Sequence, residues 1–182
     1  LLRKRLEKKT IIMTVNAGRI PNDHWLNDPV VGGGRIIGEA CHFIDLIRFL
    51  VGCSIVKHQV VTAGKTYRSL KRDDNAVITL TFKDGSFGAI HYLTQGSRAF
   101  PKERLEVFSG DSVLQLNNFL TLRGFGWPGF RKMRLLKQDK GHMACAKAFI
   151  ESIRQGKAAP ISAEELFEIA RVTLSVGQET SG

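Results

Sequence analysis

The sequence predicts an α+β domain, an open and predominantly antiparallel β-sheet with helices packed on one face. Three observations predict this fold class. Strand-like segments follow one another between residues 55 and 123, joined by short turns rather than by helices. A glycine triplet at positions 32–34 opens a long amphipathic segment that ends at Gly52. Two further amphipathic segments close the chain after residue 141.

Length and composition indicate one domain over residues 1–182. With 43% hydrophobic and 24% charged residues, the chain has the composition of a soluble globular protein. It begins with Leu rather than Met, which suggests a piece of a longer polypeptide. No apolar stretch is long enough for a membrane span, and no signal peptide is recognisable. Three cysteines without metal-ligand spacing favour the reducing cytoplasm and predict no metal site.

The net charge of +10 is concentrated in two basic runs, within residues 3–9 and 123–140. Such charge attracts anions, including nucleic acids, membranes and acidic metabolites. Aromatic residues are few, and no helix-turn-helix, zinc-finger or RNA-binding pattern occurs. The sequence therefore predicts neither nucleic acid nor a membrane as a partner. Solvated faces or a cleft for an anionic sugar account for the charge equally well.

The strand predictions rest on β-branched content and on alternation of apolar and polar residues. The predicted strands are residues 10–15, 55–63, 75–82, 86–93, 104–109, 112–116 and about 118–123, and residues 130–137 are strand-like. Asp84-Gly85, between two alternating segments, gives the strongest hairpin signal. Residues 64–74 read as a polar, basic connection, and residues 1–8 as the end of a helix.

The closing segments carry helix start and stop signals. Residues 141–155 have apolar side chains at helical spacing, and Gly156 ends the segment. Ser162 caps the last predicted helix, and Glu165 three residues later completes a capping box.

Residues 124–129 match the letters of the dinucleotide-binding fingerprint, but their context argues against that function. The fingerprint works where a parallel strand leads into a helix whose N-terminus meets the pyrophosphate. Pro128 lies inside this stretch, and a strand-like segment follows it. We interpret it as a glycine-rich turn and predict no cofactor-binding residue in this chain.

The segment after the glycine triplet carries a stripe of titratable residues. Glu39, His42 and Asp45 recur every third residue, so His42 lies one turn from each acid. An imidazole titrates near neutral pH, and His42 in a cleft beside the glycines could exchange a proton with a substrate hydroxyl. The alternative is a structural histidine whose neighbouring acids are solvated or paired.

Residues 16–29 read as a loop that brings four polar or aromatic side chains together. These are Arg19, Asp23, His24 and Trp25. An aromatic ring among polar groups suits a sugar-binding surface. Alternatively, Trp25 fastens the loop to the core.

These features together resemble the C-terminal domain of the glucose–fructose oxidoreductase / inositol dehydrogenase (Gfo/Idh/MocA) family. The resemblance covers nearly the whole chain: a strand, a loop with Pro and Trp, a glycine triplet entering a helix with His42 and Asp45, an antiparallel sheet and two closing helices. Its most specific parts are residues 32–45 and the pair of segments 149–154 and 160–165.

The resemblance implies the substrate half of an enzyme that transfers hydride between NAD or NADP and a sugar, nucleotide sugar or polyol. The family's N-terminal Rossmann domain, with its Glu-Lys-Pro motif, is absent from residues 1–182, so this chain alone is expected to be inactive. His42 stands at the position of the family's cleft histidine. The expected substrate-binding residues are Arg19, Asp23, His24, Trp25 and Asp45.

One position departs from the family pattern. Many members have an Asp one turn before the histidine, where this chain has Gly38. Glu39 points about 100° further round an α-helix. It replaces the missing acid as a catalytic residue only if the helix begins irregularly. Otherwise the chemistry differs or is absent, and the alternative is a non-catalytic dimerisation or scaffold module.

The resemblance also implies partners, namely the chain's own N-terminal Rossmann domain and further copies in a homodimer or larger homo-oligomer. Exposed sheet edges and an uncovered apolar sheet face lead to the same expectation of self-association. Similar patterns occur in fused chains with a zinc-type alcohol dehydrogenase module upstream, an arrangement that these residues leave open.

Overall fold

A computed structural model describes residues 2, 5–21, 23–28, 30–63 and 74–180. Within these residues the strands are β1 (Thr10–Asn16), β2 (Ile55–Thr62), β3 (Ala76–Phe82), β4 (Phe87–Leu93), β5 (Glu103–Ser109), β6 (Ser112–Asn117), β7 (Thr121–Phe125) and β8 (Lys132–Arg134). The α-helices are α1 (Cys41–Val51), α2 (His142–Arg154) and α3 (Ala163–Glu179). All eight strands belong to one sheet in the order β2-β3-β4-β1-β5-β6-β7-β8.

The central strand β1 joins two antiparallel meanders, β2–β4 and β5–β8. It pairs antiparallel with β5 and parallel with β4, so that Thr10 lies opposite both Phe108 and Phe87. The parallel pair arises because the chain crosses from β1 through α1 to β2 at the sheet edge, then returns by two hairpins. All other neighbouring pairs are antiparallel, which confirms the predicted fold class.

One face of the sheet carries the core, which α1 and α3 cover on the β2 side. Alternation places Ile11, Met13 and Val15 of β1 on this face, all fully buried. Helix α1 contacts β4, and α3 contacts both α1 and β2. Close approach of α1 to the sheet depends on Gly88, where a Cβ atom would lie 2.8 Å from Ile47 Cγ2.

Helix α2 differs from the other two helices. Ser152 is its one buried residue, and none of its side chains belongs to the buried cluster found among the described residues. Its apolar side chains Met143, Phe149 and Ile153 are exposed. None of the helices in the described part of the chain is long and apolar enough to cross a membrane.

Most predicted elements are present, with shifts at their ends. Strand β7 begins later than predicted because residues 118–120 form a turn, with Asn118 and Phe119 at positive φ of 51° and 49°. The helix end predicted for residues 1–8 is wrong for residues 5–8, which are irregular. Of the predicted connection 64–74, residues 64–73 lie outside the described part of the chain.

The predicted residues Gly52, Gly156 and Ser162 lie at or next to helix ends. Gly52 ends α1 with a left-handed φ of 79°, and Gly156 follows α2 with a φ of 61°. Ser162 Oγ accepts a hydrogen bond from the Glu165 backbone N–H (3.2 Å) at the start of α3. These local signals depend on neighbouring residues alone, which is why they can be read from sequence.

Candidate active site

The glycine turn at residues 32–34 ties the preceding loop to the start of the helix. The N–H groups of Gly32 and Gly33 donate to the Asp28 carbonyl (2.9 and 3.0 Å), and the Gly34 N–H donates to the Leu26 carbonyl (3.0 Å). Gly33 and Gly34 have left-handed φ values of 65° and 92°, and a side chain on Gly32 would overlap the Leu26 backbone. The triplet is therefore what allows the loop to lie against the helix start.

The helix begins irregularly, with a π-helical turn at Ile36–Ala40 before α1. Such turns change the direction of side chains relative to an α-helix, and they are frequent at functional sites. Within the turn, a Cβ atom on Gly38 would lie 2.6 Å from Leu26 Cδ2. The Leu26 side chain therefore occupies the space beside Gly38. The irregular helix start that a catalytic role of Glu39 would require is present.

Glu39 forms a cluster with Arg35 and Tyr92, two residues that sequence reasoning missed. Glu39 Oε2 accepts hydrogen bonds from Arg35 Nη2 (3.0 Å) and from the Tyr92 hydroxyl. Arg35 Nη1 donates to the Gly18 carbonyl (2.5 Å), and Nη2 also lies 3.4 Å from the Ala17 carbonyl. The Arg35 guanidinium lies 5.6 Å from the centroid of the Tyr92 ring. The cluster thus joins the helix start to β4 and to the loop that leaves β1.

The surroundings of Glu39 fix its charge. Burial alone raises the pKa of Glu39, but the Tyr92 hydrogen bond, the Arg35 guanidinium and, more weakly, Lys102 together hold this pKa below its usual range. Burial and the bond to Glu39 raise the pKa of Tyr92 above its usual range. At neutral pH Glu39 is therefore an ionised acceptor and Tyr92 a neutral donor.

His42 and Asp45 lie further along the helix in different environments. His42 is exposed. Asp45 is half-buried, and burial followed by the negative charge of Glu165 on α3 raises its pKa, against the opposing effects of His42 and Arg48. The predicted stripe thus divides, with Glu39 turned towards β4, Asp45 close to α3, and His42 exposed.

The loop residues predicted to bind substrate are placed as follows. Arg19 and Asp23 are exposed, and the Arg19 carbonyl accepts a hydrogen bond from Arg98 Nη2 (3.1 Å). His24 Nδ1 accepts the Leu26 N–H (3.2 Å) as the cap of a short 3₁₀ turn at Trp25–Asn27. The His24 ring stacks on Trp25 with 5.9 Å between centroids, and Trp25 is 59% exposed. Trp25 therefore does not fasten the loop by burial and presents its ring to solvent.

Arg35 was accessible to sequence reasoning, whereas Tyr92 was not. Arg35 directly follows the glycine triplet and stands four residues before Glu39, a spacing at which opposite charges pair on a helix. Tyr92 is 53 residues from Glu39 and meets it only because β4 is parallel to β1. Lys102, in the connection before β5, gives no local signal either.

The turn at residues 124–129 does not fit a dinucleotide. It leaves β7, which pairs antiparallel with both β6 and β8, and it leads into β8. No helix N-terminus follows to receive a pyrophosphate. Residues 124–129 therefore belong to a glycine-rich turn between antiparallel strands, as the sequence predicted.

Comparison with solved structures shows where this fold occurs. The UDP-N-acetylglucosamine 3-dehydrogenase GnnA from Acidithiobacillus ferrooxidans matches 95% of this chain with a TM-score of 0.74 and 15% identity. An aldose-aldose oxidoreductase from Caulobacter crescentus matches 93% (TM-score 0.71, 15% identity), and an NAD binding oxidoreductase from Klebsiella pneumoniae 98% (TM-score 0.74, 16% identity). The fold is thus one found in oxidoreductases. This chain spans 53%, 53% and 58% of those three chains, respectively.

The family follows from the sequence match. The model described as GFO/IDH/MocA C-terminal domain matches residues 9–111, from the residue before β1 to the β5–β6 turn. The chain belongs to this oxidoreductase C-terminal domain family, as its sequence features predicted. No curated protein matches the chain.

Proposed function

We propose that this chain is the substrate-binding half of an NAD(P)-dependent oxidoreductase acting on a sugar, nucleotide sugar or polyol. The observation that carries the proposal is the arrangement at the helix start. An exposed His42 follows the π-helical turn that holds an ionised Glu39, and the loop bearing the exposed Trp25 is hydrogen-bonded to the same glycine turn. Family membership and the names of the three structural relatives support the class of reaction.

The proposed roles follow from the chemistry of these groups. His42 accepts the proton of the substrate hydroxyl that is oxidised and returns it in the reverse direction. Glu39 accepts a hydrogen bond from a neighbouring hydroxyl, and Trp25 offers a ring face to the sugar, with Arg19, Asp23, His24 and Asp45 as further polar contacts. A nicotinamide, NAD or NADP, supplies hydride transfer, and a Rossmann domain elsewhere in the polypeptide holds it.

The first test is cofactor binding and turnover by the complete gene product. Calorimetric titration with NADH and NADPH should show binding to the complete product and none to residues 1–182 alone. Turnover is then measured on UDP-sugars, aldoses and polyols. His42→Ala should lower kcat about 100-fold or more, since general base catalysis contributes at least that much. Lys83→Gln, a change at an exposed residue in the turn between β3 and β4, should keep kcat.

A second candidate function is the non-catalytic dimerisation or scaffold module. The observation that favours it is that Leu26 fills the space beside Gly38 while Glu39 is bonded to Arg35 and Tyr92. The same mutation separates the two functions. A complete gene product that turns over its substrate equally well with His42→Ala would contradict the catalytic role and leave the scaffold function.

Self-association through the uncovered sheet face is part of either function. Phe87, Phe108 and Phe125 lie in one row across that face, each between 42% and 53% exposed. An exposed aromatic row of this kind favours contact with a second copy. Sedimentation should give a homodimer that Phe108→Lys dissociates and Phe49→Lys, on α1, leaves intact. A monomer at micromolar concentration contradicts this part of the proposal.

A further inference from the structure

The contacts of Arg35 are unusual for a residue next to a glycine turn. Its side chain is 3% exposed, and its guanidinium reaches two backbone carbonyls at the end of β1 as well as the Glu39 carboxylate. A buried guanidinium is stable only where anions and carbonyls take up its N–H groups. Arg35 therefore fixes Glu39 relative to the loop that begins at Ala17.

Tyr92 fixes Glu39 from the opposite side. The Tyr92 side chain is fully buried and cannot reach a ligand, but its hydroxyl donates to the same Oε2 atom that Arg35 contacts. Both hydrogen bonds thus use one carboxylate oxygen. The Glu39 side chain remains 27% exposed, so part of the carboxylate side chain is accessible to a ligand.

We propose that Arg35 and Tyr92 are positioning residues that hold Glu39 as a rigid, ionised acceptor for one substrate hydroxyl. The inference rests on the proposed function for the identity of the ligand. It differs from a proton relay through Glu39, because a carboxylate that keeps its charge binds a hydroxyl without exchanging a proton with it.

The groups that face Glu39 come from three elements. Arg35 lies on its own helix start, Tyr92 on β4, and Lys102 in the connection before β5. All three favour the ionised carboxylate, by charge or by hydrogen bonding, against the effect of burial. Replacing Tyr92 by Phe removes one of these contributions and keeps the ring, which packs 6.5 Å from Phe43 between centroids.

The experiment has one arm that needs no activity. Carboxyl carbon-13 NMR of residues 1–182 follows the titration of Glu39, assigned with Glu39→Gln. We expect a pKa below the usual Glu range in the wild type, and an upward shift in Tyr92→Phe, with urea unfolding to confirm that the variant folds. If Glu39 titrates in the usual Glu range, or if its pKa is the same in Tyr92→Phe as in the wild type, the positioning roles of Arg35 and Tyr92 are overturned.

The second arm is a double-mutant cycle in the complete gene product. Tyr92→Phe should lower kcat/KM by roughly tenfold to a hundredfold, as expected when a positioned group loses its geometry, and should shift the acid limb of the pH profile upward. In the Glu39→Gln background, Tyr92→Phe should cost almost nothing further. An equal loss in both backgrounds would show that Tyr92 acts only through stability and would overturn its positioning role.

The two arms fail independently. A complete gene product without turnover on any sugar or polyol contradicts the proposed function, and with it the substrate contact assigned to Glu39. The NMR titration still decides whether Arg35 and Tyr92 hold an ionised Glu39.

Discussion

Helices α1 and α2 have the same kind of sequence and opposite surroundings. In α1 the apolar residues Ile44, Ile47 and Val51 recur at helical spacing, and all are buried against the sheet and α3. In α2 the equivalent stripe contains Met143, Phe149 and Ile153, which are 84%, 55% and 65% exposed. Amphipathic spacing therefore identifies which face of a helix seeks an apolar partner. It does not identify where that partner is.

The difference has a specific structural cause at α1. Gly88 in β4 leaves room for Ile47, and the Arg48 guanidinium reaches Glu168 Oε2 on α3 (3.3 Å). Glu168 Oε1 in turn accepts the Ile55 backbone N–H (2.5 Å) at the start of β2. Helix α1 is thus held between the sheet and α3 by close packing and by the Arg48–Glu168 ion pair. Among the described residues α2 has no comparable set of contacts.

The largest expected effect comes from truncating one residue in each helix. Ile44→Ala should destabilise residues 1–182 by about 3 kcal/mol, because the cavity opens in a close-packed core. Ile153→Ala should cost less than about 0.5 kcal/mol in the same chain, since the side chain is largely in contact with water. Urea unfolding monitored by circular dichroism measures both. Similar losses for the two variants would show that α2 packs within this chain.

The α2 comparison can be sharpened in the complete gene product. The proposed two-domain enzyme needs a surface at which its domains meet. If that surface includes the exposed apolar side chains of α2, Ile153→Ala should be clearly destabilising in the complete gene product. The same variant in residues 1–182 is the matched control. An unchanged small effect in both would mean that the stripe stays exposed.

A smaller effect is expected at the contact that brings α1 close to the sheet. Gly88→Ala should cost about 1–3 kcal/mol, because the added methyl overlaps Ile47 Cγ2 and the core is filled already. In a double-mutant cycle with Ile47→Ala, that cost should largely disappear, since the clash is removed. Chemical denaturation of the four variants gives the coupling energy. Strictly additive losses would contradict the steric explanation.

The fold was predictable to the extent that its signals are local. Alternation identifies strands β1–β6, and Gly52, Gly156 and Ser162 mark helix ends, because each signal depends on a few adjacent residues. The parallel pairing of β1 with β4 was not predicted, since each pair of partners, such as Thr10 and Phe87, is 77 positions apart in the sequence. The π-helical turn itself was not predicted. An irregular helix start was named only as the condition under which Glu39 replaces the acid that is missing at Gly38.

The site was predictable in part for the same reason. The sequence indicates Glu39, His42 and Asp45 from their spacing, but the environments of Glu39 and Asp45 depend on β4 and α3. Tyr92 could not be found, because a buried tyrosine in a strand has no local feature that assigns a partner. The roles of His42 and of the loop residues stay predictions.

The smallest expected effect concerns the charge at the α1–α3 contact. Burial and Glu165 raise the pKa of Asp45, so the folded chain holds that proton more tightly than the unfolded chain does. Stability should therefore decline as the pH rises from the usual Asp pKa through the raised one, the opposite of what Glu39 contributes. Asp45→Asn should gain a few tenths of a kcal/mol at pH 7, because a half-exposed carboxylate is screened by water. The gain should vanish below the usual Asp pKa, where the wild-type residue is protonated in both states. Urea unfolding of both proteins at the two pH values measures this gain. A variant less stable than the wild type at neutral pH would show that the Asp45 charge interacts favourably with Arg48 instead.

Helix α2 provides the contrast. Glu151→Gln, on its exposed surface, removes a charge that pairs with Lys147 across solvent (3.7 Å). The effect on stability should be similarly small but of opposite sign.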